Sequence, residues 1–387
     1  MKRFISAGCL PDGLAAMSFF DGLVFFSPVS LLVRTTAGVS VSQFFLLQAL
    51  LSGTVLLGEV PSGRLTDRIG CRRTMILCEG LFAAARILLM AAFLTHSLPL
   101  FWLEAVVEGL AVSFASGTQS AYLYSVLSPE SYLSGTVQAG NWETAGYLTS
   151  TICYAGLYAL GGITGLLAAT ALASVAALLA SFSLPGETRR PPRPADRPSH
   201  GLARLLLTRQ AVTVIAALAA LNLGQILVNF FYADKLLACG ARAEWLTPII
   251  LAYSAIQMLA GPVLDRIRPA RRLGAMAGFF LLAGAGMAAL GLVDRTFPAV
   301  LLMLILPLLL RLPGCILEKV QNGLVDDAGQ EDRRAEVLSL FSMSGSLLEV
   351  VFLVGSSAVA AAGPAACFGA AGVLLAAAGW AVRRILS

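Results

Sequence analysis

The sequence predicts an all-α membrane protein of twelve transmembrane helices in two pseudo-symmetric six-helix bundles. Three observations carry this. Mean hydropathy is +0.80, with 57% hydrophobic and 13% charged residues over 387 positions, too apolar for a domain that must keep a polar surface in water. Apolar runs of about twenty residues, enough to cross hydrocarbon at ~1.5 Å per residue, recur along the whole chain. They are also continuous, as in LLAATALASVAALLASF (166–182), where barrel strands would alternate over roughly ten residues.

The runs fall at 12–34, 42–64, 73–95, 99–127, 134–160, 162–183, 209–233, 246–265, 273–293, 297–320, 336–361 and 364–382. The first follows Met1-Lys2-Arg3 but reads as a span rather than a cleaved signal peptide, because it is long and Asp21 interrupts its apolar core. Between the sixth and seventh runs, prolines 185, 191, 192, 194 and 198 mark an extended, arginine-rich linker. The expected domains are therefore an N-terminal bundle (1–184), a linker (185–208) and a C-terminal bundle (209–387). Lys2, Arg3 and the arginine clusters at 64–73, 189–209, 266–272, 333–334 and 383–384 fall on one side of this layout. Only Arg34, Lys235, Arg242 and Arg295 fall on the other, which predicts both termini in the cytoplasm. The net charge of +5 then describes a membrane face and requires no nucleic-acid partner.

The connection after the second run reads GEVPSGRLTDRIGCRR (58–73) and gathers six charges. Its GRLTDRIGCRR (63–73) aligns without gaps to GPVLDRIRPAR (261–271), in the equivalent connection of the second half, as expected of a duplicated bundle. The stretch resembles the signature loop of the major facilitator superfamily, G-x-L-x-D-R-x-G-x-R-R, matched by Gly63, Leu65, Asp67, Arg68, Gly70, Arg72 and Arg73. GEVPSG (58–63) and ASGTQSAYLYSVL (115–127) resemble less characterised bacterial members regarded as exporters. The resemblance implies a secondary transporter in a bacterial inner membrane with Gly63, Asp67, Arg68, Gly70, Arg72 and Arg73 as a gating loop. In physical terms, Gly63 is expected to let the second helix approach a neighbour, Gly70 to allow a tight turn, and the charges to latch the rim. Two family signatures are missing. AVVEG (105–109) stands where many members carry R-x-x-Q-G, and 137–162 lacks the proline of the exporter kink motif.

Ionisable groups inside a bilayer cost at least ~2.5–3.5 kcal/mol, so each asks for a partner or a function. Asp21 in the first run is a candidate to bind a proton or a cationic group, since the resemblance places helices one, four, seven and ten around the transport cavity. Its alternative is a structural carboxylate. Glu104 and Glu108, four apart, share a face of the fourth helix and could share a proton, unless Glu104 lies in interfacial water. Glu143 in the fifth run is a further candidate. Arg86, Glu79 and Glu349 read as structural partners on supporting helices. Asn222, Gln225, Asn229 and Tyr232 form a polar stripe on the seventh helix, suited either to a ligand or to interhelical hydrogen bonds. Pro307 and Pro313 around Arg311 suggest a discontinuous tenth helix, with Arg311 able to meet Glu108 and with Glu318 beyond it.

Seven scattered cysteines without a CxxC pair, two histidines outside the runs, and no HExxH or GxxxxGK[ST] motif give no metal, no cofactor and no enzyme. The reading is a monomeric, proton-coupled exporter of a small cationic or zwitterionic amphiphile, working by alternating access. Uptake of a polar metabolite is the alternative, and a non-transporting receptor or scaffold is the rival from another class.

Overall fold

The computed structural model describes residues 11–187, 206–242, 245–257, 259–327 and 334–385. Most of the expected linker lies outside them. The chain divides into two compact units, Met1–Val39 with Leu50–Asp196, and Ser40–Ala49 with Arg197–Ser387. Helix is the regular secondary structure of both among the described residues.

The first unit opens with α1 (Asp12–Gly22), a short 3₁₀ turn at Ser27–Val29 and α2 (Ser30–Thr36). The expected single first helix is thus interrupted. Val24 N–H turns back to the Gly22 carbonyl at 2.8 Å, and Phe25 N–H donates to the Thr170 hydroxyl at 3.1 Å. A side chain from another helix replaces the lost helical bond, which hydropathy could not register. Then come α3 (Val41–Ile69), whose stretch Val41–Ala49 falls to the second unit, and α4 (Cys71–Thr95), separated by Gly70 at φ +91°. The fourth run is likewise two helices, α5 (Leu98–Ala115) and α6 (Thr118–Val126), parted by Ser116 and the left-handed Gly117 at φ +73°.

α7 (Pro129–Ser181) holds the fifth and sixth runs in one element of 53 residues. Its backbone leaves helical geometry at Gly162 (φ 57°, ψ −150°). A Cβ placed on Gly165 would lie 3.4 Å from the Leu157 carbonyl, eight residues back, so the chain folds sharply there. Eleven apolar helical stretches are long enough to cross a membrane among the described residues, and one of them runs 48 residues. Divided at Gly162, it supplies two crossings, which gives the expected twelve.

The second unit contains α8 (Arg209–Ala238), α9 (Leu246–Gln257), α10 (Ala260–Asp265), α11 (Pro269–Leu292), α12 (Thr296–Asp327), α13 (Arg334–Ala360) and α14 (Pro364–Ile385). Here α12 corrects the expectation of a discontinuous tenth helix. It continues through Pro307 and Pro313, both buried among neighbours.

Apolar burial gives little drive between helices in lipid, so packing rests on close backbone approach. In the first unit a Cβ on Gly22 would run into the Glu143 carbonyl, and one on Gly146 would run into that of Phe19. In the second unit, Gly284 and Gly372 interlock in the same way, a Cβ on either falling 2.6–2.7 Å from the other's carbonyl.

Candidate functional site

Each unit contains a polar cavity of its own. In the first, Asp21 closes the last turn of α1, and the interlocked Gly22 and Gly146 set it beside Glu143 of α7. The α5–α6 break brings Phe114 and Thr118 to the same place. Around these a cavity of about 270 Å³ is lined by Ser18, Asp21, Glu79, Arg86 and Glu143, with Phe82 and Phe114 among its apolar walls. Asp21 and Glu79 stand within hydrogen-bonding reach of each other. A carboxyl–carboxyl hydrogen bond exists only when one proton is present, because two carboxylates have acceptors and no donor.

A ladder of charged groups leads away from this pair. Arg86 binds Glu108 at 2.8 Å and lies 5.4 Å over the Phe26 ring. Glu108 lies within reach of Glu104. Glu104, 1% exposed, meets Arg34, 3% exposed, at 3.2 Å, and Arg34 also donates to the Ser30 hydroxyl at 3.1 Å. At 1% exposure Glu104 does not lie in water, so the alternative of Glu104 at the aqueous interface is overturned. The break before α2 turns Arg34 inward, where a carboxylate repays its desolvation. Arg86 and Glu79, read as structural from their helix, line the cavity. Their signal was present: seven residues apart, they share one face of α4.

In the second unit a cavity of about 420 Å³ is bordered by Asn222, Gln225, Arg311, Glu318, Ser346 and Glu349. Arg311 pairs with Glu318 at 3.6 Å, and Asn222 donates to Glu349 at 2.5 Å. Glu349 therefore joins a cavity that its helix did not suggest. The predicted stripe on α8 divides. Asn222 and Gln225 face the cavity, whereas Asn229 accepts from Gln225 at 3.0 Å and from the Tyr253 hydroxyl at 3.4 Å. Tyr232, 2% exposed, donates to the Leu246 carbonyl and ties α8 to α9. The expected partners Glu108 and Arg311 each have a partner within their own unit.

The loop at 63–73 also separates into parts. A Cβ on Gly63 would meet nothing within 4 Å, so the close approach expected there is absent. Gly58 makes it instead, its Cβ position falling 2.6 Å from the Ser113 hydroxyl, as does Gly109, 2.8 Å from the Leu51 carbonyl. Gly70 does make the tight turn, under the Glu187 carboxylate. Arg72 donates to the Leu184 and Phe182 carbonyls at 2.7 and 2.9 Å, and its N–H donates to Glu187 at 2.7 Å. It thereby caps the end of α7, where helical carbonyls lack partners. Asp67, Arg68 and Arg73 are exposed.

Residues 13–347 match the family model of the Major Facilitator Superfamily. No curated protein matches the chain significantly. Among solved structures, the chain is similar to the nucleoside transporter NupG, at 12% identity over 96% of each chain with a TM-score of 0.73. It is also similar to a bacterial homologue of the human lysosomal transporter Spinster, at 16% identity over 96% of this chain and 90% of that one, TM-score 0.69. The human organic anion transporter MFSD10 (TETRAN) aligns at 16% identity over 95% and 98%, TM-score 0.57. Identities this low speak for the fold alone.

Proposed function

Because the chain belongs to the major facilitator superfamily, whose members carry small molecules across membranes, we propose that it is a secondary active exporter exchanging protons for a small cationic or zwitterionic amphiphile. The observation that carries this reading is the Asp21–Glu79 pair. Among the described residues of the first unit, Arg34 and Arg86 are engaged by Glu104 and Glu108, which leaves Asp21 and Glu79, with Glu143 beside them, on a membrane-embedded cavity without an ion pair of their own. Such a pair holds a proton or a cation, and exchanging one for the other is antiport in its simplest form. The sequence likeness to exporter-type members supports the outward direction. The arginine bias supports both termini in the cytoplasm of a bacterial inner membrane.

A second reading, uptake of a polar metabolite, draws on the amides and hydroxyls of the 420 Å³ cavity. The test that separates the two is accumulation of fluorescent lipophilic cations in efflux-deficient cells, with the intact protein, Asp21→Asn and an empty vector compared. Lower accumulation that vanishes when the proton gradient collapses, and in Asp21→Asn, is the expected result. Unchanged accumulation with verified expression would remove these cations as substrates and favour uptake. Binding of a ligand without any translocation would point to a receptor on the same fold.

A further inference from the structure

Two polar atoms on the 270 Å³ cavity have no hydrogen-bond partner although they are buried: the Ser18 hydroxyl and Oε2 of Glu79. Ser18 is 3% exposed and Glu79 4%. Ser18 precedes Asp21 by three residues, so both present to the same side of α1, while Glu79 comes from α4. Three acceptor groups from two helices therefore border one small space. Leaving them unmet is unfavourable in a low-dielectric interior, and water could satisfy the hydrogen bonds but not the charge.

We infer that this cavity is a subsite for a primary or secondary ammonium group, recognised through its N–H donors by Ser18, Asp21 and Glu79. An alkylammonium ion carries up to three donors on one positively charged atom, which matches the three acceptor groups and the carboxylate excess together. The walls suit the adjoining carbons. Met17, Met75, Phe82 and Phe114 flank the acidic end. At about 270 Å³ the cavity falls just short of the ~300 Å³ lower end of ligand pockets, so it takes a head group and a few carbons rather than a whole amphiphile. A metal ion fits less well. Among the described residues no three histidine, cysteine or carboxylate side chains converge closely enough to hold one. Arg86, which also lines the cavity, is held by Glu108 at 2.8 Å. A quaternary ammonium has the charge but no N–H donor, and an alcohol has a donor but no charge, so neither satisfies the site.

This deepens the export reading, resting on its premise that the substrate is cationic. The test is a binding measurement on the purified full chain in detergent, by calorimetry, with n-butylammonium, n-butyltrimethylammonium and n-butanol as probes. Butylammonium is expected to bind about tenfold more tightly than its trimethyl counterpart, the ratio that corresponds to one hydrogen bond. Ser18→Ala and Glu79→Gln should each weaken it by a similar factor while melting as the parent does. If Glu79→Gln fails to fold, Ser18→Ala alone decides. Equal binding of the ammonium and trimethyl probes, or undiminished butylammonium binding in Ser18→Ala, would overturn the assignment. Cells that export nothing while butylammonium still binds selectively would sink the transport reading and leave the subsite standing. Export of cations without amine selectivity would do the reverse.

Discussion

Arg34 and Glu104 form an ion pair almost without solvent, and its energetics differ from those of a surface pair. Removing one partner strands a charge in the membrane interior, so Arg34→Met should cost about 3–5 kcal/mol of stability. The double variant Arg34→Met with Glu104→Met should recover most of that loss, as read by thermal melting in detergent. Glu108 gives a second prediction. Glu108→Gln removes the carboxylate that holds Arg86 at 2.8 Å, and the released guanidinium can then turn to Asp21. Cation efflux should fall at least about tenfold, with expression intact, because an internal arginine would compete for the carboxyl pair. Legibility at this scale was partial. The spacing of Glu104 and Glu108 showed in the sequence, and so did Asp21. Their partners did not, because Arg34 reaches Glu104 from α2 and Arg86 reaches Glu108 from α4. Pairing between helices leaves no periodicity within either one.

Between elements, glycine positions separate contacts that matter from contacts that the motif only suggested. Gly146→Ala would drive a methyl group into the Phe19 carbonyl, and backbone cannot yield as a side chain can. It should lower the yield of folded protein sharply and release α1 from α7. Gly63→Ala faces open space and should melt within about 0.5 kcal/mol of the parent. Arg72→Ala should speed hydrogen exchange at the end of α7, around Phe182–Leu184, because two carbonyls there lose their donor. The interruptions of the first and fourth runs were not legible. Hydropathy stays high across each stretch despite Asp21, Glu104 and Glu108, and what accompanies the breaks is a left-handed Gly117 in one case and a hydroxyl from Thr170 in the other. Conversely, Pro307 and Pro313 look like breaks in the sequence, yet α12 carries them through because neighbouring helices enclose them.

Across the whole molecule, composition alone was enough for the fold class, since the length of each apolar run is fixed by bilayer thickness rather than by any partner. The repeat at 63–73 and 261–271 also pointed to two similar halves, though the two loops engage different arginines. Arg72 reaches Leu184 in the first, whereas Arg272 reaches the Ile267 carbonyl at 3.1 Å in the second. An even number of crossings places both chain ends on one side. Tags on the two termini should therefore be cleaved together in inverted vesicles and protected together in intact cells, as the arginine bias predicts. What no tally of hydropathy conveyed is how the fifth and sixth crossings connect. They pass into each other through the bend at Gly162 rather than through a long loop. That corner of the first unit is a single exposed turn, with Leu160 90% exposed, too short a handle for an epitope or reporter to be inserted without disturbing both crossings at once.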